Sequence, residues 1–99
     1  NRHSFSATND FVNTMKLLPK VTIIGDQTGG GSGLPFSSEL PNGWSVRFSA
    51  SPHLDVDMQH IESGIEPDIK MEMTQEDILR NTDTIIEYAR SYLKSIRAE

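Results

Sequence analysis

Five of the chain's seven glycines fall within nine residues, Gly25-Asp26-Gln27-Thr28-Gly29-Gly30-Gly31-Ser32-Gly33. Glycine gives up the most backbone freedom on ordering, so such a run breaks helix and strand alike, and it permits positive φ and close backbone approach. It fixes a loop. Before it stands Val21-Thr22-Ile23-Ile24, a mostly apolar, β-branched run of the kind that forms a short strand buried on both faces. After it, residues 36–40 and 44–49 flank Pro41-Asn42-Gly43, and Asn-Gly predicts a tight hairpin turn with both central residues at positive φ. Trp44, Val46 and Phe48 alternate with Ser45 and Arg47, the pattern of a strand with one buried face.

The remaining elements follow from period and caps. Ser4 and Ser6 precede Phe11, Val12, Met15 and Leu18 at helical spacing. This predicts a serine-capped helix over residues 7–18, with Asp10 near its positive end and Pro19 beyond its last turn. Residues 50–63 show no period and read as irregular. Residues 69–73 read as another strand, and Thr74 caps a short helical turn that opens with Glu76 and Asp77. Ile85, Ile86, Ala89, Leu93 and Ile96 form the stripe of a final helix, opened by Thr82 and Asp83, with Arg90, Lys94 and Arg97 toward its negative end. Helix followed by strand suggests an α/β layer.

Composition bounds what such a fold can be. The 99 residues form one domain at most. With glycine counted in place of tyrosine, apolar residues make up about 40%, below the roughly 45–50% of ordinary domains. The chain therefore reads as one layer of something larger, completed by the remainder of a domain or by a homo-oligomer. Without cysteine there is no disulfide, thiolate zinc site or cysteine nucleophile. No apolar run approaches a membrane span or signal peptide, so the chain reads as a soluble, processed or excised segment. A net charge of −5 opposes the phosphate backbone, which argues against a nucleic-acid partner. Residues 55–77 hold eight carboxylates and the single Lys70, a solvated face by default.

Three constellations suggest chemistry. Gly25, Gly30 and Ser32 mimic the outline of a phosphate-binding loop, but Gly31 stands where its lysine belongs and no helix follows. His53, Asp55, Asp57, His60 and Glu62 are metal-ligand types without metal-ligand spacing. The third is Ser6 with Glu62. A serine at a helix start can expose its hydroxyl while first-turn amides face a developing oxyanion, although the ordinary role there is a cap. Lys16 cannot serve as its base, lying ten residues on, about 15 Å along the helix.

Four segments in order, Ser6-Ala7-Thr8-Asn9, residues 21–31, Leu40-Pro41-Asn42-Gly43 and residues 62–69, resemble the C-terminal half of the catalytic domain of the tail-specific proteases. That family includes the C-terminal processing peptidases and the tricorn core. The resemblance implies a single segment, residues 1–99, of a crotonase/Clp-protease-like α/β domain of short mixed sheets with flanking helices. It implies Ser6 as nucleophile, the Ala7 amide as half of the oxyanion hole, and Gly29, Gly30 and Gly31 as cleft wall against substrate. Asn9 stands where many members have Glu, which implies a different contact at the helix end. Gly31 stands where one branch has its catalytic Lys, so the tricorn-like branch fits better. There a His from upstream is the base, oriented by the Glu that corresponds to Glu62.

What the resemblance implies is a serine endopeptidase acting on the C-terminal regions of proteins. It requires no metal and no cofactor, is inactive as this segment alone, and sits in the periplasm, cell envelope or outside the cell. Its partners would be a protein or peptide substrate and the rest of the catalytic domain. The rival is a non-catalytic peptide-binding or scaffold module built on the same fold.

Overall fold

The glycine run separates two small sheets. In the computed structural model, which describes residues 1–97, β1 (Ile24–Gly25) runs parallel to β4 (Ile69–Lys70), with Ile24 opposite Ile69. The pair is extended by backbone bonds. The Ile23 carbonyl accepts from the amides of Asp68 and Ile69, and the Gly25 carbonyl accepts from Met71. The Asp68 carboxylate accepts from the Ile23 amide at 2.8 Å, closing the join.

The second sheet is the hairpin of β2 (Leu34–Glu39) and β3 (Ser45–Ser51). Its turn differs from the Asn-Gly expectation. Gly43 has φ 83°, but Asn42 is not at positive φ. The Leu40 carbonyl accepts from the Gly43 amide, and the Leu40 amide donates to the Trp44 carbonyl. The loop therefore has three residues, a Pro-led turn followed by one left-handed glycine. Pro41 selects it, because its fixed φ suits the first central position of that turn and not a positive-φ one.

Helices flank the sheets. Helix α1 (Ala7–Lys16) ends before Pro19, as the sequence predicts, and α2 (Gln75–Leu79) is capped by Thr74, whose hydroxyl accepts from the Asp77 amide at 3.1 Å. Helix α3 (Thr84–Arg97) opens on Asp83, whose carboxylate accepts from the amides of Ile85 and Ile86. Asp83→Ala leaves both amides unpaired and is expected to cost about 1 kcal/mol, read as a lower thermal midpoint. An unchanged midpoint would show that α3 is held by packing alone.

The fold is a slab of 63 × 35 × 15 Å with a radius of gyration of 17.7 Å, against about 13 Å for a compact chain of this length. One layer leaves little interior. Among the described residues the buried apolar side chains are Ile61 and Ile65, and the buried polar ones are Asn9, Thr28 and Ser32. Several faces predicted as buried are therefore open. Trp44 is 71% exposed, Phe48 is exposed with its ring tilted against that of Phe36, and the Val21–Ile24 stretch is half-buried where it is covered at all. On α1 the fully buried residue is Asn9, while Phe11, and Leu18 just beyond the helix, are exposed. On α3 the predicted stripe divides: Ile85, over Gly25, and Ala89 are half-buried, as is Tyr92 outside the stripe, whereas Ile86, Leu93 and Ile96 are exposed. No helix among the described residues is long and apolar enough to cross a membrane.

Candidate active site

Three segments meet, residues 5–9, 28–33 and 61–65, and hydrogen bonds join them. Phe5 bridges Gly30 in parallel, and the Ser6 amide donates to the Gly30 carbonyl at 2.8 Å. The Gly31 amide donates to the Glu62 carbonyl at 3.0 Å. Gly30 has φ 79°, and a Cβ there would lie 1.9 Å from the Glu62 carbonyl oxygen, so only glycine lets the loop lie this close. Beneath the crossing, Asn9 is fully buried. Its Nδ2 donates to Ser32 Oγ at 2.7 Å and to the Ile61 carbonyl at 3.0 Å, and its Oδ1 accepts from the Thr28 hydroxyl. The Thr28 oxygen accepts in turn from the Ile65 amide. Sequence reading missed this network because a lone Asn on an amphipathic helix carries no signal of burial.

Ser6 stands at the entrance to α1 with φ 53° and ψ −123°, and its side chain makes no cap bond. The serine-cap expectation is thereby corrected for Ser6. A non-glycine residue in this region stores about 1–3 kcal/mol of backbone strain, held here by the bond to Gly30. The Ala7 amide, the first of the helix, donates to no group among the described residues. An exposed, uncapped hydroxyl thus sits beside a free amide at the positive end of a helix.

Glu62 is fixed on the other side of the same loop. One carboxylate oxygen accepts from the Gly33 amide at 2.8 Å and the other from Ser49 Oγ at 2.9 Å. The Gly33 amide first, then the Ser49 hydroxyl, hold its carboxyl below the usual carboxylate range. A cavity of about 410 Å³ opens between Ser6, Gly31 and Gly33 on one side and Arg47, Phe48 and Ser49 on the other. Ser49 also borders a second cavity, of about 230 Å³, with His60 and Glu62. Of the glycines expected to meet substrate, Gly31 lines the first cavity, Gly30 is the mount described above, and Gly29 backs onto the Phe5 ring.

The lowered pKa makes Ser49 testable. A carboxyl whose pKa falls on folding stabilises the native state while ionised, and loses that contribution as pH drops through its native value. Ser49→Ala removes one bond to the ionised form. The Glu62 titration, followed by carbon NMR of its carboxyl, is expected to move upward in pH, while Asp26, which is lowered by Arg2 instead, stays put. A Glu62 midpoint that does not move would remove Ser49 as a cause.

The other candidates are dispersed. Lys16 reaches the Glu66 carbonyl from the far end of α1, and His53 Nδ1 lies 3.3 Å from Asp10. Asp55 accepts from the amides of Asp57 and Gln59 within its own turn. No group of three or more metal-ligating side chains comes together among the described residues. No His or Lys nitrogen there is bonded to Ser6 Oγ.

The chain has relatives. The sequence model of peptidase family S41 matches residues 1–71. The chain belongs to peptidase family S41. A candidate peptidase from Parabacteroides merdae ATCC 43184 superimposes with TM-score 0.90 at 70% identity, over 94% of this chain and 30% of that one. Mature CPAF in complex with lactacystin gives 0.77 at 24% identity over 97% of this chain, and mature CPAF alone 0.68 at 26% over 79%. This S41 chain spans only 19% and 16% of those two CPAF chains. No curated protein matches it. The short sheets and flanking helices are those of the S41 and CPAF fold, as the tail-specific protease resemblance implies.

Proposed function

We propose that residues 1–99 form the C-terminal part of the catalytic domain of a serine endopeptidase of the tail-specific type, whose general base comes from outside these residues. The observation that carries the reading is the conformation of Ser6. A strained, uncapped serine beside a free helix-start amide is a poor structural element and a suitable nucleophile, since strain of this kind persists where surrounding bonds enforce it.

In this mechanism Ser6 Oγ attacks the scissile carbonyl carbon as its proton passes to the base. The Ala7 amide receives the oxyanion. The base then protonates the leaving amine, and water hydrolyses the acyl-enzyme through the same groups. Glu62 orients the base and stabilises its cationic form, for which its lowered pKa suits it, because it stays ionised at neutral pH. The exposed apolar residues of α1, the hairpin and α3 face the rest of the domain. An envelope or secreted setting completes the proposal.

A fluorophosphonate reagent, which phosphonylates activated serines, is expected to label the full-length protein on the peptide containing Ser6. Glu62→Gln is expected to lower kcat by about 10⁴-fold with the fold intact, the size of effect when an orienting carboxylate becomes an amide. An unlabelled Ser6 and no cleavage of an unfolded protein would favour the non-catalytic module instead.

A further inference from the structure

Arg47 is the charged side chain on the wall of the Ser6 cavity. It lies on β3 opposite Ser37, two positions from Ser49 and therefore on the same face of the hairpin, the face that bonds Glu62. Among the described residues its guanidinium has no partner. Arg2, Arg80 and Arg90 pair with Asp26, Glu76 and Glu87, whereas Arg47 forms no ion pair or side-chain hydrogen bond among the described residues. Glu62, whose carboxylate accepts from the Gly33 amide and the Ser49 hydroxyl, forms no ion pair with Arg47 among the described residues. Glu39, on the same hairpin face beside Ser45, forms no ion pair with it. The rest of the wall is glycine, serine, proline and phenylalanine. A guanidinium offers a planar fork of donors that matches a carboxylate in two parallel bonds, so an unpaired one on a cleft wall has the chemistry to bind a carboxylate there.

We infer that Arg47 is a specificity residue which makes this cleft prefer peptides carrying a carboxylate close to the scissile bond. The inference rests on the peptidase reading and names its substrate class. The carboxylate would belong either to an Asp or Glu side chain or to a nearby chain end. In either case it pairs with Arg47 while Ser6 faces the scissile carbonyl. Little else in the cavity discriminates by charge.

The test compares kcat/KM of the full-length protein on three peptides: one with Glu near the cleavage point and an amidated end, the same with Gln, and the Gln peptide with a free C-terminal carboxylate. The wild type is expected to favour a carboxylate-bearing peptide by about tenfold to a hundredfold, the usual range for a charge-assisted pair. In Arg47→Gln that ratio falls to about one, and in Arg47→Glu it falls below one, the amidated Gln peptide being cleaved faster than the carboxylate-bearing ones. A gain confined to the free-end peptide, and lost in Arg47→Gln, assigns the carboxylate to the chain end. Equal wild-type rates on all three, or a ratio that survives in Arg47→Gln, overturns the inference while leaving the peptidase reading in place. Cleavage of none of the three overturns both.

Discussion

Ser6→Ala in the full-length protein is expected to reduce cleavage of an unfolded protein substrate by at least about a thousandfold, because loss of a nucleophile leaves only the catalysis of binding and oxyanion stabilisation. Stability should change by no more than about 1 kcal/mol, since the Ser6 side chain makes no cap bond to lose. Ser6→Gly separates the two roles of the position. Glycine adopts φ 53° and ψ −123° without the penalty that serine pays there, and that relief outweighs the greater freedom glycine gives the unfolded chain. The expected result is an inactive protein more stable than wild type by about 1 kcal/mol, read from denaturant unfolding. Retained turnover in either variant would remove Ser6 from the mechanism. A destabilised Ser6→Gly would show that the conformation carries no strain.

The line between what the sequence disclosed and what it hid runs through burial. Elements with local causes were legible: the Asp83 and Thr74 caps, the glycine loop, the hairpin and both long helices follow from chemistry within a few residues. The motif over residues 62–69 was legible only as a resemblance, and the structure supplies its physics. Gly64 has φ 105°, and a Cβ there would lie 2.1 Å from the Thr28 carbonyl oxygen; Ile65 accepts from the Thr28 amide, and Asp68 closes the join to Ile23. Apolar alternation misled wherever it presumed a second layer. Trp44, Phe48 and Leu93 carry the pattern of core residues and stand exposed, because a slab 15 Å thick offers them nothing to pack on. Periodicity records which face is to be covered, and not what covers it.

Asn9→Ala is expected to have the largest effect on stability of any substitution considered, about 3–5 kcal/mol, against the roughly 5–15 kcal/mol that holds a typical domain together. It strands the Thr28 hydroxyl, Ser32 Oγ and the Ile61 carbonyl at once, in the one place where the three segments are bound beneath the site. Turnover should fall as well, because Ser32 and Ile61 neighbour the loop glycines and Glu62. Asn9→Asp distinguishes loss of bonds from loss of volume. The carboxylate keeps the shape and can still accept from Thr28, but it sets an anion against the Ile61 carbonyl, and burial raises its pKa. A raised native pKa gives stability that is present below the unfolded value and lost as pH rises through the native one. The deficit of Asn9→Asp relative to wild type should therefore be largest at neutral pH and shrink in acid, where the protonated acid can donate to Ile61. Unfolding midpoints for both variants within a degree or two of wild type would show that the crossing is held by the Ser6, Gly31 and Thr28 amides without Asn9.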